Sequence, residues 1–538
     1  SIPKVRLGVN LAPLGYFILN AAHKNLVTKG DSWRTSTQTS TPTWGTNNWN
    51  LMKLDADGYP TSIPQTINGV ATYAHLIVGH KIYTGEYTLL WDGDGDVNVQ
   101  SVSYNSVAAN RKTFTLSTAS NDFFSLIIAR SNVANPVKNI RLLLPNTEST
   151  YKTQPLNQDF INRIGGAGVI RFMDWTATNN SKHTVWSDRV TAGAIQGTSG
   201  DGSSGGLGGA SYELCCDTAN ALGAHAWFCV PHLADDNYVT QMAILIRDRL
   251  AQNLHCYIEY SNETWNGMFQ QTGWSQKQGA SLGLGSGFQA GINYCARRSA
   301  QIFKIFHTVF GGTDRLVRVI ATQNGNPGVG SMWASAIKNI SINPLAQDLA
   351  AQPDAMATAP YFKPSSIAAG ESAASVIAKM KASIDSTVGD DPMPGAAAVK
   401  KICNANGWRC IAYEGGQHCD TSIGDMATAA AVNRDSGMEA LYKYYFDKWF
   451  AISDDVFCHY SDCYSFNQYG CWGLIEKQNS APIGKARAFE NYVKAFLGNN
   501  PIPGPVCACA VCIICSKPTS LKCDKSFLRR NANWRRFD

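Results

Sequence analysis

From about residue 155 onward, short and almost wholly apolar segments alternate with stretches of helical period. That alternation constrains the fold more than any other feature. It is the signature of βα units, in which parallel strands are buried on both faces and crossover helices cover them. The expected strands are Val169–Trp175, Ala224–His232, His255–Asn262, Arg315–Gln323, Asp354–Phe362, Arg409–Glu414 and Tyr464–Ile475. Helical stretches lie between them at Asn237–Asn253, Gly291–Phe310, Ala429–Phe450 and Ile483–Leu497. Val5–Ala12 is one more strand of the same buried kind and brings the count to eight, the number that closes a TIM barrel. The expected fold class is therefore α/β, a (β/α)8 barrel.

The stretch from about Trp44 to Pro145 has a different texture. Short alternating segments such as Tyr87–Trp91 and Lys112–Leu116 are broken by Asp-Gly and Asn-rich turns, which predicts an all-β sandwich inserted after the first barrel strand. Asp92-Gly-Asp-Gly-Asp96 invites a calcium reading. It misses the EF-hand frame and its bidentate Glu, so a hairpin turn is expected. Gly200–Gly209 lacks the P-loop Lys-Ser/Thr and reads as a flexible loop. The expected organisation is a barrel start at 1–43, the β-sandwich at 44–150, the remaining barrel at 151–500 and a Pro/Cys-rich basic tail at 501–538.

Charged residues make up only 16% of the 538, and 44% are hydrophobic. The surface must then be covered largely by Ser, Thr, Asn, Gln and Gly, which suits a secreted, extracellular protein. A net charge of +6, with much of the excess between Lys522 and Arg536, argues against nucleic acid as a general partner. Sixteen cysteines, clustered at Cys215-Cys216, Cys403/Cys410/Cys419 and Cys458/Cys463/Cys471, predict disulfides of open connectivity. No signal peptide or membrane-length apolar run is visible, and Ser1-Ile-Pro3 reads as a processed start. Asn179 and Asn339 sit in glycosylation sequons. Asn262 does too, but a glycan there would smother its neighbour Glu263, so folding is expected to shield it. Neither a cofactor nor a metal is called for.

Two strings carry the chemistry, Tyr257-Ile-Glu-Tyr-Ser-Asn-Glu-Thr-Trp-Asn266 and Arg409-Cys-Ile-Ala-Tyr-Glu-Gly-Gly-Gln-His418. Each reads as a buried strand whose C-terminal end offers a carboxylate, Glu263 in the first and Glu414 in the second. Such a pair at the C-terminal rim of a barrel can cleave a glycosidic bond, one acid protonating the leaving oxygen and the other attacking or activating water. Strand alternation would put Glu259, Ser261 and Glu263 on one face, with Glu259 deeper and paired to Arg171 or Arg318. Gly415-Gly416 would let the backbone turn sharply around a ligand. Asp174 and Trp175, at the rim of the second strand, are candidate substrate contacts.

Together with Arg171-Phe-Met-Asp-Trp175 and Tyr413-Glu-Gly-Gly416, these strings resemble the clan A (β/α)8 retaining glycoside hydrolases, in particular secreted cellulase-like proteins with an inserted β-sandwich. The resemblance covers about residues 1–500. It implies hydrolysis of a β-linked polysaccharide or oligosaccharide, with Glu263 as acid/base and Glu414 as nucleophile. It also implies that Asn262 holds the sugar 2-hydroxyl, Tyr361 orients Glu414, His232 lines the cleft and Trp472, on the eighth strand, stacks on a sugar ring. The tail, with its linker Pro501–Pro505 and five cysteines between Cys507 and Cys523, fits none of this. It motivates two alternatives: a fibre-forming glycoprotein polymerised through the tail, or a carbohydrate-binding scaffold without turnover.

Overall fold

The computed structural model describes residues 1–40, 48–197, 208–389 and 394–498. Eight parallel strands close a barrel in chain order. They are Leu7–Asn10, Val169–Arg171, His225–Val230, Cys256–Tyr260, Leu316–Ala321, Ala355–Thr358, Arg409–Ala412 and Phe457–Tyr460. The first strand closes the ring by pairing on one side with the second, Val9 beside Ile170, and on the other with the eighth, Leu7 beside Phe457. Trp227, Tyr257, Val317, Val319, Ile411 and Cys458 fill the interior, while a second apolar layer packs between strands and outer helices.

Seven strands fall within the expected segments, and the eighth does not. It is Phe457–Tyr460 rather than Tyr464–Ile475. The acids Asp454-Asp455 ahead of it look like a surface turn, but Asp455 is buried. Its carboxylate accepts from the Arg409 guanidinium at 2.8 and 2.9 Å and from the Val456 amide. Residues 464–475 instead form a loop beyond the rim, with isolated bridges between Cys463 and Ile475 and between Asn467 and Gly470. The helical pattern at 429–450 divides into Met426–Asn433 and Gly437–Ser453. Helices start on side-chain caps, Ser211 before Tyr212–Leu222 and Asp235 before Asp236–Arg249, whose oxygens take otherwise orphaned amides.

Two antiparallel sheets are inserted between the first and second barrel strands. One orders Lys138–Leu143, Gly85–Asp92, Arg111–Leu116 and Tyr104–Ala108. The other orders Arg34–Ser36, Val70–His80, Phe123–Ser131 and Gly95–Val99, with Gln65–Ile67 beside Val70–His80. Tyr87, Leu89 and Phe114 of the first share a core with Leu76, Val78, Leu126 and Ile128 of the second. Asp92–Asp96 is not a hairpin turn, since it carries the chain from one sheet to the other. Its acids are ion-paired: Asp92 with Arg141, Asp94 with Arg130 and Asp96 with Lys112.

The eleven cysteines of the described residues are buried, with free thiols. Eight of them lie on strands or helices and Cys419, Cys463 and Cys471 in loops, all packed as small apolar side chains, a role free cysteine fills readily. Among the described residues no helix is long and apolar enough to cross a membrane, and no His/Cys/Asp/Glu cluster suits a metal. The tail 501–538 and the loop 200–207 lie outside the described residues, as does any polymerisation through the tail.

Candidate active site

Arg171, the last residue of the second strand, is fully buried at the barrel's C-terminal end. One terminal nitrogen donates to Glu414 at 3.0 Å and Asn10 at 3.2 Å; the other donates to Glu259 and Asn262, each at 2.9 Å. Its guanidinium lies 5.3 Å from the ring centre of Trp227 and 5.0 Å from that of Tyr413. A planar, weakly hydrated cation with five donors is the side chain best suited to such burial. Glu259 also accepts from the Trp227 indole at 3.0 Å, so the deep acid is paired as expected. Arg318 is not its partner, being bonded to Asp354 instead.

Simple alternation does not place Glu263. The fourth strand ends at Tyr260, and Ser261 and Glu263 then take left-handed backbone, with φ of 56° and 43°. Most other non-glycine residues in that region here are Asn, which tolerates it; for Glu it is costly, on the order of 1–3 kcal/mol. The two kinks aim the Glu263 carboxylate at the Tyr413 hydroxyl and the Asn266 amide, which donate at 2.8 and 2.9 Å. Glu414 follows the seventh strand by two residues. Besides Arg171 it accepts from the Tyr361 hydroxyl at 2.8 Å.

Burial raises the affinity of both carboxyls for protons, and the charge of Glu263 raises Glu414 further. Arg171 and Tyr361 oppose this at Glu414; Asn266 and Tyr413 oppose it at Glu263. Two such neighbours titrate as a pair and share a proton across an intermediate pH range. Glu414 touches a guanidinium, whereas Glu263 touches only neutral donors. Burial together with the charge of Glu263 raises Glu414 to about 8, while its contacts with Arg171 and Tyr361 pull it back down.

Tyr361 and Trp472 stand beside this pair. The half-buried Trp472 ring lies 6.0 Å from the rings of Tyr361 and Tyr460 and 4.6 Å from that of His418. It sits in the loop after the eighth strand, not on the strand. Asp174 accepts from the Tyr460 hydroxyl at 2.8 Å, and burial pushes its carboxyl up to about 6. Asn262 is 2% exposed, which shields it from glycosylation as expected. It also turns inward, accepting from Arg171 and donating to Asn179 at 3.0 Å, and so positions its neighbours rather than facing a cleft.

Trp175, 1% exposed, packs on Phe172 and His23, and it lines a cavity beside Asp174. His232 packs against Trp274 and makes no bond to the glutamates; burial pushes its imidazole down to about 4, so it stays neutral. Asn179 accepts from Asn262 and Gln271, which ties it to the site, whereas Asn339 is exposed after the helix Pro327–Lys338. Gly415 and Gly416 also serve the protein rather than a ligand. A Cβ on Gly415 would lie 2.5 Å from the Phe457 ring, and one on Gly416 would lie 2.7 Å from His459.

Sequence reasoning missed Asn10, Tyr413 and Tyr460. Asn10 could have been found as the polar end of an apolar strand, and Tyr413 as the neighbour of Glu414. Tyr460 was hidden by the misplaced eighth strand.

No protein-family model and no curated protein matches the chain. Among solved structures, the GH51 arabinofuranosidase from Xanthomonas axonopodis pv. citri is 11% identical, with a TM-score of 0.37, over 63% of this chain and 66% of its own. The endo-β-1,4-mannanase from Cellulomonas fimi is 11% identical, with a TM-score of 0.33, over 62% and 65%. The CBM22-1–GH10 modules of Clostridium thermocellum xylanase 10B are 10% identical, with a TM-score of 0.36, over 88% and 96%. This chain thus spans about two thirds of the length of the first two. The likeness to these glycoside hydrolase barrels is distant and one of fold.

Proposed function

We propose that the chain is a secreted glycoside hydrolase that cuts a β-linked polysaccharide with retention of configuration, Glu263 acting as acid/base and Glu414 as nucleophile. The observation that carries this reading is the asymmetric environment of two adjacent carboxyls, one in contact with Arg171 and the other held by neutral donors. Two carboxyls pushed apart in this way divide acid and nucleophile roles between them.

In the first step Glu263 gives its proton to the glycosidic oxygen while a Glu414 oxygen attacks the anomeric carbon. The C–O bond breaks, the leaving sugar departs as an alcohol, and a glycosyl ester forms on Glu414. In the second step the Glu263 carboxylate takes a proton from water, whose oxygen attacks the same carbon and releases Glu414. Trp472 offers an apolar face beside the reacting centre. The low surface charge and the exposed Asn339 sequon support an extracellular setting.

The test is a panel of β-glucans, mannans and xylans assayed with wild type and Glu414→Gln, with product configuration followed by NMR. Loss of all turnover in the variant and a first-formed β-anomer are expected. Equal turnover, or an α-anomer, sinks the assignment.

Tyr361→Phe provides a separate prediction. The hydroxyl lowers the Glu414 pKa, so its loss moves the acidic limb of the pH–rate profile upward and leaves the alkaline limb, set by Glu263, in place. Loss of a hydrogen bond to a charged group costs about 1.5–3 kcal/mol, so turnover should fall roughly ten- to hundredfold.

A further inference from the structure

Beside the glutamate pair lies a cavity of about 360 Å³, bounded by the loop after the first barrel strand, the loop after the second, and the inserted sheets. Its volume is within the roughly 300–1,000 Å³ of small-molecule sites. Among its lining residues are Tyr16, Phe17, Asp31, Arg34, Asp174 and Asn179.

Two of these connect to the glutamates through intermediate residues. Asp174 is bonded to Tyr460, whose ring lies 6.5 Å from that of Tyr361, the donor to Glu414. Asn179 is bonded to Asn262, the residue before Glu263. The inner wall of the cavity is therefore the outer ring of the candidate active site.

The opposite wall is an aromatic shelf. Phe17 is 56% exposed, unusual for a ring beside a cavity, and stands edge-on to Tyr16 at 5.7 Å. Tyr16 is anchored to the insert by Phe123 at 6.1 Å and by the Arg34 guanidinium at 5.9 Å. Gly15 makes room for the shelf, since a Cβ there would lie 2.7 Å from the Phe17 ring. Arg34, on an insert strand, is bonded to Asp31 at 2.9 Å.

We propose that this cavity is a glycan subsite shared by barrel and insert. It seats one neutral pyranose of the polysaccharide, with the apolar ring face on Phe17 and the hydroxyls on Asp31, Arg34 and Asp174. The pyranose is neutral because the Arg34 guanidinium of the lining is already matched by Asp31, and a sugar carboxylate would meet Asp174 as well. The inference rests on the hydrolase reading for the direction of the chain, which runs from the glutamates past Asp174 onto the insert.

Calorimetric titration of Glu414→Gln with cellohexaose, xylohexaose and mannohexaose tests it. At least one hexasaccharide should bind saturably, and adding Phe17→Ala should weaken that binding about tenfold. Gly15→Ala, which pushes the ring aside without removing it, should act in the same direction. Leu349→Ala, which trims an exposed side chain ahead of the sixth barrel strand, should change nothing. Affinity unaffected by Phe17→Ala, or no saturable binding of any of the three sugars, overturns the subsite.

Turnover by the wild type is scored separately. Phe17-dependent binding without turnover would remove the hydrolase reading and keep the subsite. Turnover with Phe17-independent binding would do the reverse.

Discussion

Glu263→Gln and Glu414→Gln should each lower turnover of the best β-glycan by roughly a thousandfold or more, within or above the 10²–10⁴ range for a positioned acid or base. The two losses should differ in kind. Without Glu414 no glycosyl ester forms, and a small anion such as azide, in a variant trimmed to Gly at 414, should attack from the vacated face and give a product of inverted configuration. Without Glu263 the ester can still form from substrates with an activated leaving group. It then turns over slowly, so a burst of leaving group should precede a slow steady state, and the alkaline limb of the pH profile should vanish. Identical behaviour of the two variants would refute the division of roles.

Stability provides a second reading of the same variant. Burial raises the Glu263 pKa in the folded state, so the native protein holds a proton there that the unfolded chain, with a carboxyl near about 4.3, has already lost. Where the native state binds more protons, stability falls as pH rises. Glu263→Gln removes that penalty. Its melting temperature relative to wild type should therefore climb as pH rises above about 4.3; a difference independent of pH would show that Glu263 is not held protonated.

Arg171→Met should destabilise the fold by about 3–5 kcal/mol, the cost of leaving a buried charge without its partner. The guanidinium supplies four hydrogen bonds, to Asn10, Glu414, Glu259 and Asn262, and Met supplies none. Glu259 suffers most, because it is 2% exposed and retains only the Trp227 indole and the weak Cys229 thiol as donors. Adding Glu259→Gln to Arg171→Met should recover about 1.5 kcal/mol or more, since an amide tolerates burial better than an unpaired anion. Urea denaturation of the four proteins closes the cycle. Additive effects would mean that the two groups do not depend on each other.

The same Arg171 shows how much was legible beforehand. Buried strands announce themselves by composition, so seven of the eight, and with them the barrel, could be read from local pattern. The eighth could not, because Asp454-Asp455 look solvated until Arg409, 46 residues away from Asp455, supplies a partner. Alternation brought Glu263 to the correct end of the barrel but not to its orientation, which depends on two left-handed residues that no propensity predicts. The surroundings of Trp175 and His232 were not legible for a related reason. The end of a strand is known from sequence, but which side of the rim a ring takes depends on neighbours contributed by other loops.

By itself the sequence determined the βα alternation, the inserted sheets and the presence of an acid just beyond the fourth and seventh strands. These follow from side-chain periods of two and about 3.6, which are local. Only the tertiary structure decided which of the acids is paired, which donors each of them meets and where the insert meets the barrel. Those properties depend on contacts such as Arg171 with Glu259, 88 residues away, and with Glu414, 243 residues away. No local pattern encodes such contacts; they exist once the first and eighth strands pair and bring the ends of all eight strands around one buried guanidinium.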